Sequence, residues 1–177
     1  MNNTKKLTIS SITVAFGALF MLIGCAVPQL DLTVSCLSSV LVAFIYIEIG
    51  SPYTYLVWLC TTLIIALSFP VSIMWVSYFL VFGIYPVVKG YIEGLPKKLW
   101  LIIKISYGII TMAAVFVITT FVLGIETESF FNLPIEAAYI ILLVLAVLCF
   151  VIYDVFLTAA VRVYYRRIRP KIKNLLK

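Results

Sequence analysis

The sequence contains no histidine, and only 11% of its 177 residues are charged. The missing histidine removes Ser-His hydrolases, His-ligated haem or zinc, and intramembrane proteases that use a His base. The shortage of charge removes more. A soluble domain carries charge on about a quarter of its residues, and this chain has too few polar side chains to cover a globule of its size. A soluble enzyme or soluble binding module is therefore excluded. No glycine-rich loop is present to cradle phosphates, so the chain is not expected to hydrolyse ATP itself. The four cysteines, Cys25, Cys36, Cys60 and Cys149, show no CxxC or zinc-finger spacing. No catalytic residue, metal or cofactor is expected, and the chain does not read as an enzyme.

What is present is apolar: 64% of the residues are hydrophobic and the mean hydropathy is +1.20. Six runs are near the ~20 residues a helix needs to cross hydrocarbon: residues 7–26, 32–50, 53–69, 71–88, 99–123 and 134–161. Turn residues break them at Pro28, Gly50-Ser51-Pro52, Pro70, Gly90 to Pro96 and Gly124 to Pro134. None shows the period-2 alternation of an outer-membrane barrel. In lipid each backbone donor and acceptor must be satisfied within the protein, so the runs are helices. The expected fold is an all-α integral membrane protein, one domain, a six-transmembrane-helix bundle. Residues 162–177 are expected to form a basic cytoplasmic tail.

Charge placement orients the bundle. The basic residues occupy three places: Lys5 and Lys6; Lys89, Lys97, Lys98 and Lys104; and Arg162, Arg166, Arg167, Arg169, Lys171, Lys173 and Lys177. With six spans these fall on one side, and the positive-inside rule makes it the cytoplasm. Both termini are then cytoplasmic, in a multi-pass protein of the cell (inner or plasma) membrane. The other side holds Asp31, Glu126, Glu128 and Glu136. Leu22-Ile23-Gly24-Cys25 has the look of a lipoprotein processing box, but five further spans make a lipid anchor redundant. The basic tail, interleaved with Tyr164, Tyr165, Ile168 and Ile172, reads as attachment to an anionic inner leaflet, not to nucleic acid.

Few charges lie within the runs. Asp154 and Lys104 fall at similar depths near the inner interface on consecutive antiparallel helices, and a structural ion pair between them is expected. Glu48 is expected to be an interfacial residue at the inner end of the second run. Cys60 and Cys149 read as small apolar fillers. Cys25 and Cys36 lie near the outer ends of adjacent helices, where free thiols or a disulfide are both open. Residues 126–134 are expected either to cap the bundle or to lie on the headgroups.

Two patterns point to binding. Asp31 and Glu136 share the outer side with Trp75, Tyr78 and Tyr139, and acids with aromatics can bind a small polar or cationic molecule. The simpler account makes the acids helix-start residues and the rings an interface belt. Ser11, Ala15 and Ala18 on the first helix, and Ser35, Ser39 and Ala43 on the second, form stripes that let another helix approach closely. They serve either internal packing or docking with another membrane protein.

The opening Lys5-Lys6-Leu7-Thr8, the first-helix residues Ser11, Ala15 and Ala18, the six-span layout and the basic tail resemble the substrate-binding (S) components of energy-coupling factor transporters. The resemblance covers the whole chain as topology. Ser11-xxx-Ala15 stands where many members have Ala-xxx-Ala. It implies a protein that captures a small, vitamin-like molecule from outside. It also implies docking, through the first helix, to a membrane coupling subunit driven by ATPases. Two other readings stand beside it: a scaffold of cell-wall or cell-shape machinery similar to the MreD type, and a lipid-handling membrane protein.

Overall fold

The computed structural model describes residues 2–124 and 135–172, without the side chains of 28, 135–139 and 172. Every regular element among them is helical. The helices are α1 (Asn3–Ala26), α2 (Asp31–Glu48), α3 (Ser51–Ser68), the broken α4 (Ile73–Ile92), α5 (Lys97–Phe121) and α6 (Ile135–Val163). A π-turn over Tyr164–Ile168 and a short α7 (Arg169–Ile172) continue α6. Six helices are long and apolar enough to cross a membrane. The chain is a multi-pass membrane protein, and its faces open to lipid carry Leu, Ile, Val and Phe throughout. The fourth helix runs to Ile92, past the expected end at Val88, and the last does not stop at residue 161 but continues as helix to Ile172.

Helix α2 is the axis of the bundle, packing against α1, α3, α4 and α6. It can do so because its inward residues are small or slender: Ser35, Ser38, Ser39, Val42, Ala43 and Ile45 are all buried. In lipid no hydrophobic force holds helices together, so close backbone approach is what stabilises them. Gly17 on α1 shows how close: a Cβ added there would sit 3.2 Å from Ser38 Oγ and 3.4 Å from Thr61 Oγ1. Helices α2 and α3 are joined by Ile49 and Gly50 alone, and Gly50 takes a φ of 104° that disfavours any residue with a Cβ.

Helix α4 is interrupted by a π-turn over Tyr78–Phe82, closed by the Gly83 amide donating to the Tyr78 carbonyl at 2.7 Å. Shifting that bond leaves the Phe79 carbonyl without its usual helical donor. Pro86, which has no N–H, does the same to the Phe82 carbonyl. Side chains from other helices supply the donors: Trp58 Nε1 to Phe79 O at 3.1 Å, Tyr107 hydroxyl to Leu80 O at 2.8 Å and Tyr153 hydroxyl to Phe82 O at 3.2 Å. The break in α4 is thus where α3, α5 and α6 are tied to it. A Cβ on Gly83 would lie 2.4 Å from Trp58 Cδ1 and 2.9 Å from Tyr78 O, so only glycine lets the indole reach its acceptor.

Helix α5 is the most peripheral. It buries one narrow stripe, Gly108, Thr111, Val115 and Thr119, against α4 and α6.

Candidate functional site: an ion network beneath a hydroxyl core

The ionisable groups inside the bundle gather where α4, α5 and α6 approach their basic ends. Lys89 is 5% exposed. Its ammonium pairs with Asp154 Oδ1 and donates to the Asp154 carbonyl at 2.9 Å and to Thr158 Oγ1 at 2.6 Å. Lys104 reaches Asp154 Oδ2 at 3.1 Å and Glu93 Oε1 at 3.1 Å. Tyr85, fully buried, donates to Asp154 Oδ1 at 2.6 Å. Two lysines and two carboxylates make the cluster neutral, and each charge has at least one partner of opposite sign. Charges taken out of water are tolerable only when paired and hydrogen-bonded in this way. The network therefore fastens three helices together at one end of the bundle.

The Asp154–Lys104 contact lies where their depths place it. Lys89 is the member that sequence reasoning assigned instead to the basic connection after the fourth span. The available signal was its spacing: Lys89 follows Tyr85 by four residues and precedes Ile92 by three, and all three are buried on one face of α4.

A second set of polar groups lies nearer the middle of the bundle. The Tyr153 hydroxyl pairs with Ser39 Oγ as well as with the Phe82 carbonyl. The Tyr78 hydroxyl faces Ser38 and Thr61, although none of the three forms a hydrogen bond of acceptable geometry. Rings fill the space between the two polar sets: Tyr85 packs on Phe150 and Tyr153 with centroids 4.8 and 5.5 Å away.

This arrangement revises the expected binding residues. Tyr78 is 0% exposed and does not line an outer opening: it follows the buried Met74 by four residues, on the same inward face of α4. Trp75 is half-buried and commits its indole N–H to the Pro70 carbonyl at 3.0 Å. Asp31 opens α2, half-buried, with Oδ1 enclosed and unpaired among the described residues. No hydrogen bond or ion pair joins Asp31, Trp75 and Tyr78. The side chains of Glu136 and Tyr139, and the whole of residues 126–134 with their expected cap, lie outside the described residues.

The small-residue stripes separate. Ser35, Ser39 and Ala43 are buried at 2%, 0% and 5% exposure, so the α2 stripe packs within the chain and offers nothing to a partner. Ser35 Oγ rests on Met21 Sδ at 3.7 Å, and Ala18 on α1 is likewise buried. Ser11 and Ala15 are exposed, and the Ser11 hydroxyl donates only to the Leu7 carbonyl of its own helix.

No family model, curated protein or solved structure matches the chain. Its chemistry must be read from its own residues.

At the foot of the bundle Glu48 is more than an interfacial acid. It accepts from the Tyr164 hydroxyl at 3.0 Å and pairs with Arg169 Nε at 3.0 Å, binding the continuation of α6 to the end of α2. The cysteines are free, including Cys25 and Cys36. Among the described residues no group of His, Cys, Asp and Glu could hold a metal.

Proposed function

We propose that this chain is the substrate-capturing membrane subunit of a transporter of the energy-coupling factor type, with its basic end in the cytoplasm. It binds a small molecule from outside and relies on a separate coupling subunit and its ATPases for energy. The observation that carries this reading is the division between the two stripes. The small residues of α2 are used up by internal packing, whereas Ser11 and Ala15 on α1 are exposed. Small residues are kept on a lipid-facing surface where another helix comes close. The orientation rests on the clustering of lysine and arginine at one end. Capture falls to the opposite end, where Asp31, Trp75, Glu136 and Tyr139 remain as candidate contacts and Tyr78 does not.

Enlarging Ala15 to Leu tests the docking face, because a tight helix contact cannot absorb three added carbons without strain or separation. The variant is expected to lose co-purification with its membrane partner while keeping any retained small molecule, as read by mass spectrometry. Normal recovery of every partner would remove the docking face.

A second reading has its own support. Tyr78 is buried beside Ser38 and Thr61 and is not free to contact a ligand, which suits a scaffold that binds only other membrane proteins. Purified protein that retains no small molecule and brings down cell-wall proteins would favour it.

A further inference from the structure

The geometry points to a binding site for the phosphate of an anionic phospholipid at the basic mouth of the seam between α5 and α6. The register of that seam is set twice. Lys104 meets Asp154, and Gly108 lies against Phe150, where an added Cβ would stand 2.5 Å from the ring. In both contacts the α5 residue rises by as much as the α6 residue falls, as antiparallel neighbours must.

Continuing the same register toward the basic end brings Lys97 opposite Val161 and Arg162. Lys97, Trp100 and Lys104 are spaced i, i+3, i+7 and share one face of α5; Asp154, Thr158 and Arg162 are spaced i, i+4, i+8 on α6. At the level of Lys104 the facing group is an acid. Roughly 10 Å nearer the basic end, at the level of Lys97, the residues opposite are Val161 and Arg162, so the charge across the seam is another base.

The described acids at this end are already engaged. Glu93 and Asp154 pair with Lys89 and Lys104, and Glu48 pairs with Arg169. Lys97, Lys98 and Arg162 are exposed, and no ion pair to any of them exists among the described residues. Like charges converging at a membrane interface repel one another unless an anion sits between them. The depth suits a headgroup: the helix Ile140–Lys171 has 32 residues, roughly 48 Å against about 30 Å of hydrocarbon, so its basic end, which begins at Arg162, extends beyond the acyl region to the level of the phosphates. Trp100, half-buried with its indole N–H on the Leu95 carbonyl at 2.6 Å, is the kind of ring that settles at that level. The site is independent of the transport reading and would serve a scaffold equally.

The test uses the full chain in mild detergent, titrated with phosphatidylglycerol or phosphatidylcholine, with bound lipids counted by native mass spectrometry. One phosphatidylglycerol should bind in preference to phosphatidylcholine. The pair Lys97→Gln with Arg162→Gln should weaken it about ten- to thirty-fold, whereas Lys5→Gln with Lys171→Gln, the same loss of charge elsewhere, should leave it within about twofold. Equal losses in the two pairs would mean diffuse attraction to the whole basic surface and would overturn the site. So would the absence of any preference, or complete displacement of the lipid by excess inorganic phosphate. Should the double variant fold poorly, Arg162→Glu decides: it supplies the missing acid, so it should abolish the preference while raising the melting temperature in phosphatidylcholine. Retained preference or a lower melting temperature would overturn the proposal.

Discussion

Helices α1–α3 and helices α4–α6 are held together by different means. In the first half the contacts interleave glycine, alanine and hydroxyl residues with Val, Ile and Met, and among the described residues no ion pair links the three helices. In the second half, large rings and a four-charge network do the work. Close backbone packing tolerates small polar changes but punishes added volume. A buried ionic network does the reverse, because removing one member strands the others without water. The two halves meet through the packing of α2 on α4 and α6 and through specific groups: Ser39 with Tyr153, Trp58 with the α4 break, and Glu48 with Tyr164 and Arg169.

The contrast can be broken most forcefully at Asp154. Replacing it with Ala leaves Lys89 buried and opposite only Glu93, a cost of about 3 kcal/mol, read as a lower melting temperature in detergent. Exchanging Lys89→Met and Asp154→Leu together should recover most of that loss, since an apolar pair needs no partner. A small effect of Asp154→Ala alone would show that the second half does not depend on its charges.

The junction comes next. Tyr153→Phe removes the bonds to Ser39 and to the Phe82 carbonyl and should cost about 1–2 kcal/mol by the same measurement. The smallest effect is expected inside the first half. Ser35→Ala loses only a weak contact with Met21 and should change stability by less than about 0.5 kcal/mol. A cost for Ser35→Ala as large as that for Tyr153→Phe would erase the distinction between the halves.

The sequence made the helices legible because hydrocarbon thickness imposes their length and because Pro28, Gly50 and Pro70 punctuate them. The Asp154–Lys104 pairing was also within reach, since depth can be counted along antiparallel helices. Facing is harder. Ser11 and Ser35 have the same spacing context, and only the neighbours of each helix decide that one points outward and the other into the bundle. Tyr78 was misplaced for a related reason. Position along a helix places a ring near one end of the bundle but does not say whether it points in, and Tyr78 shares the inward face of Met74 one turn before it. Lys89 was hidden because a lone lysine in an apolar stretch reads as an end marker until its acid is found on a helix 65 residues away.

The two-residue link between α2 and α3 limits how the protein can change shape. Gly50 takes the φ of 104° that closes it, so the joined ends of the two helices have no slack to part, and any rearrangement of the bundle carries them as a pair. A side chain at Gly50 strains that link and is felt by both helices at once.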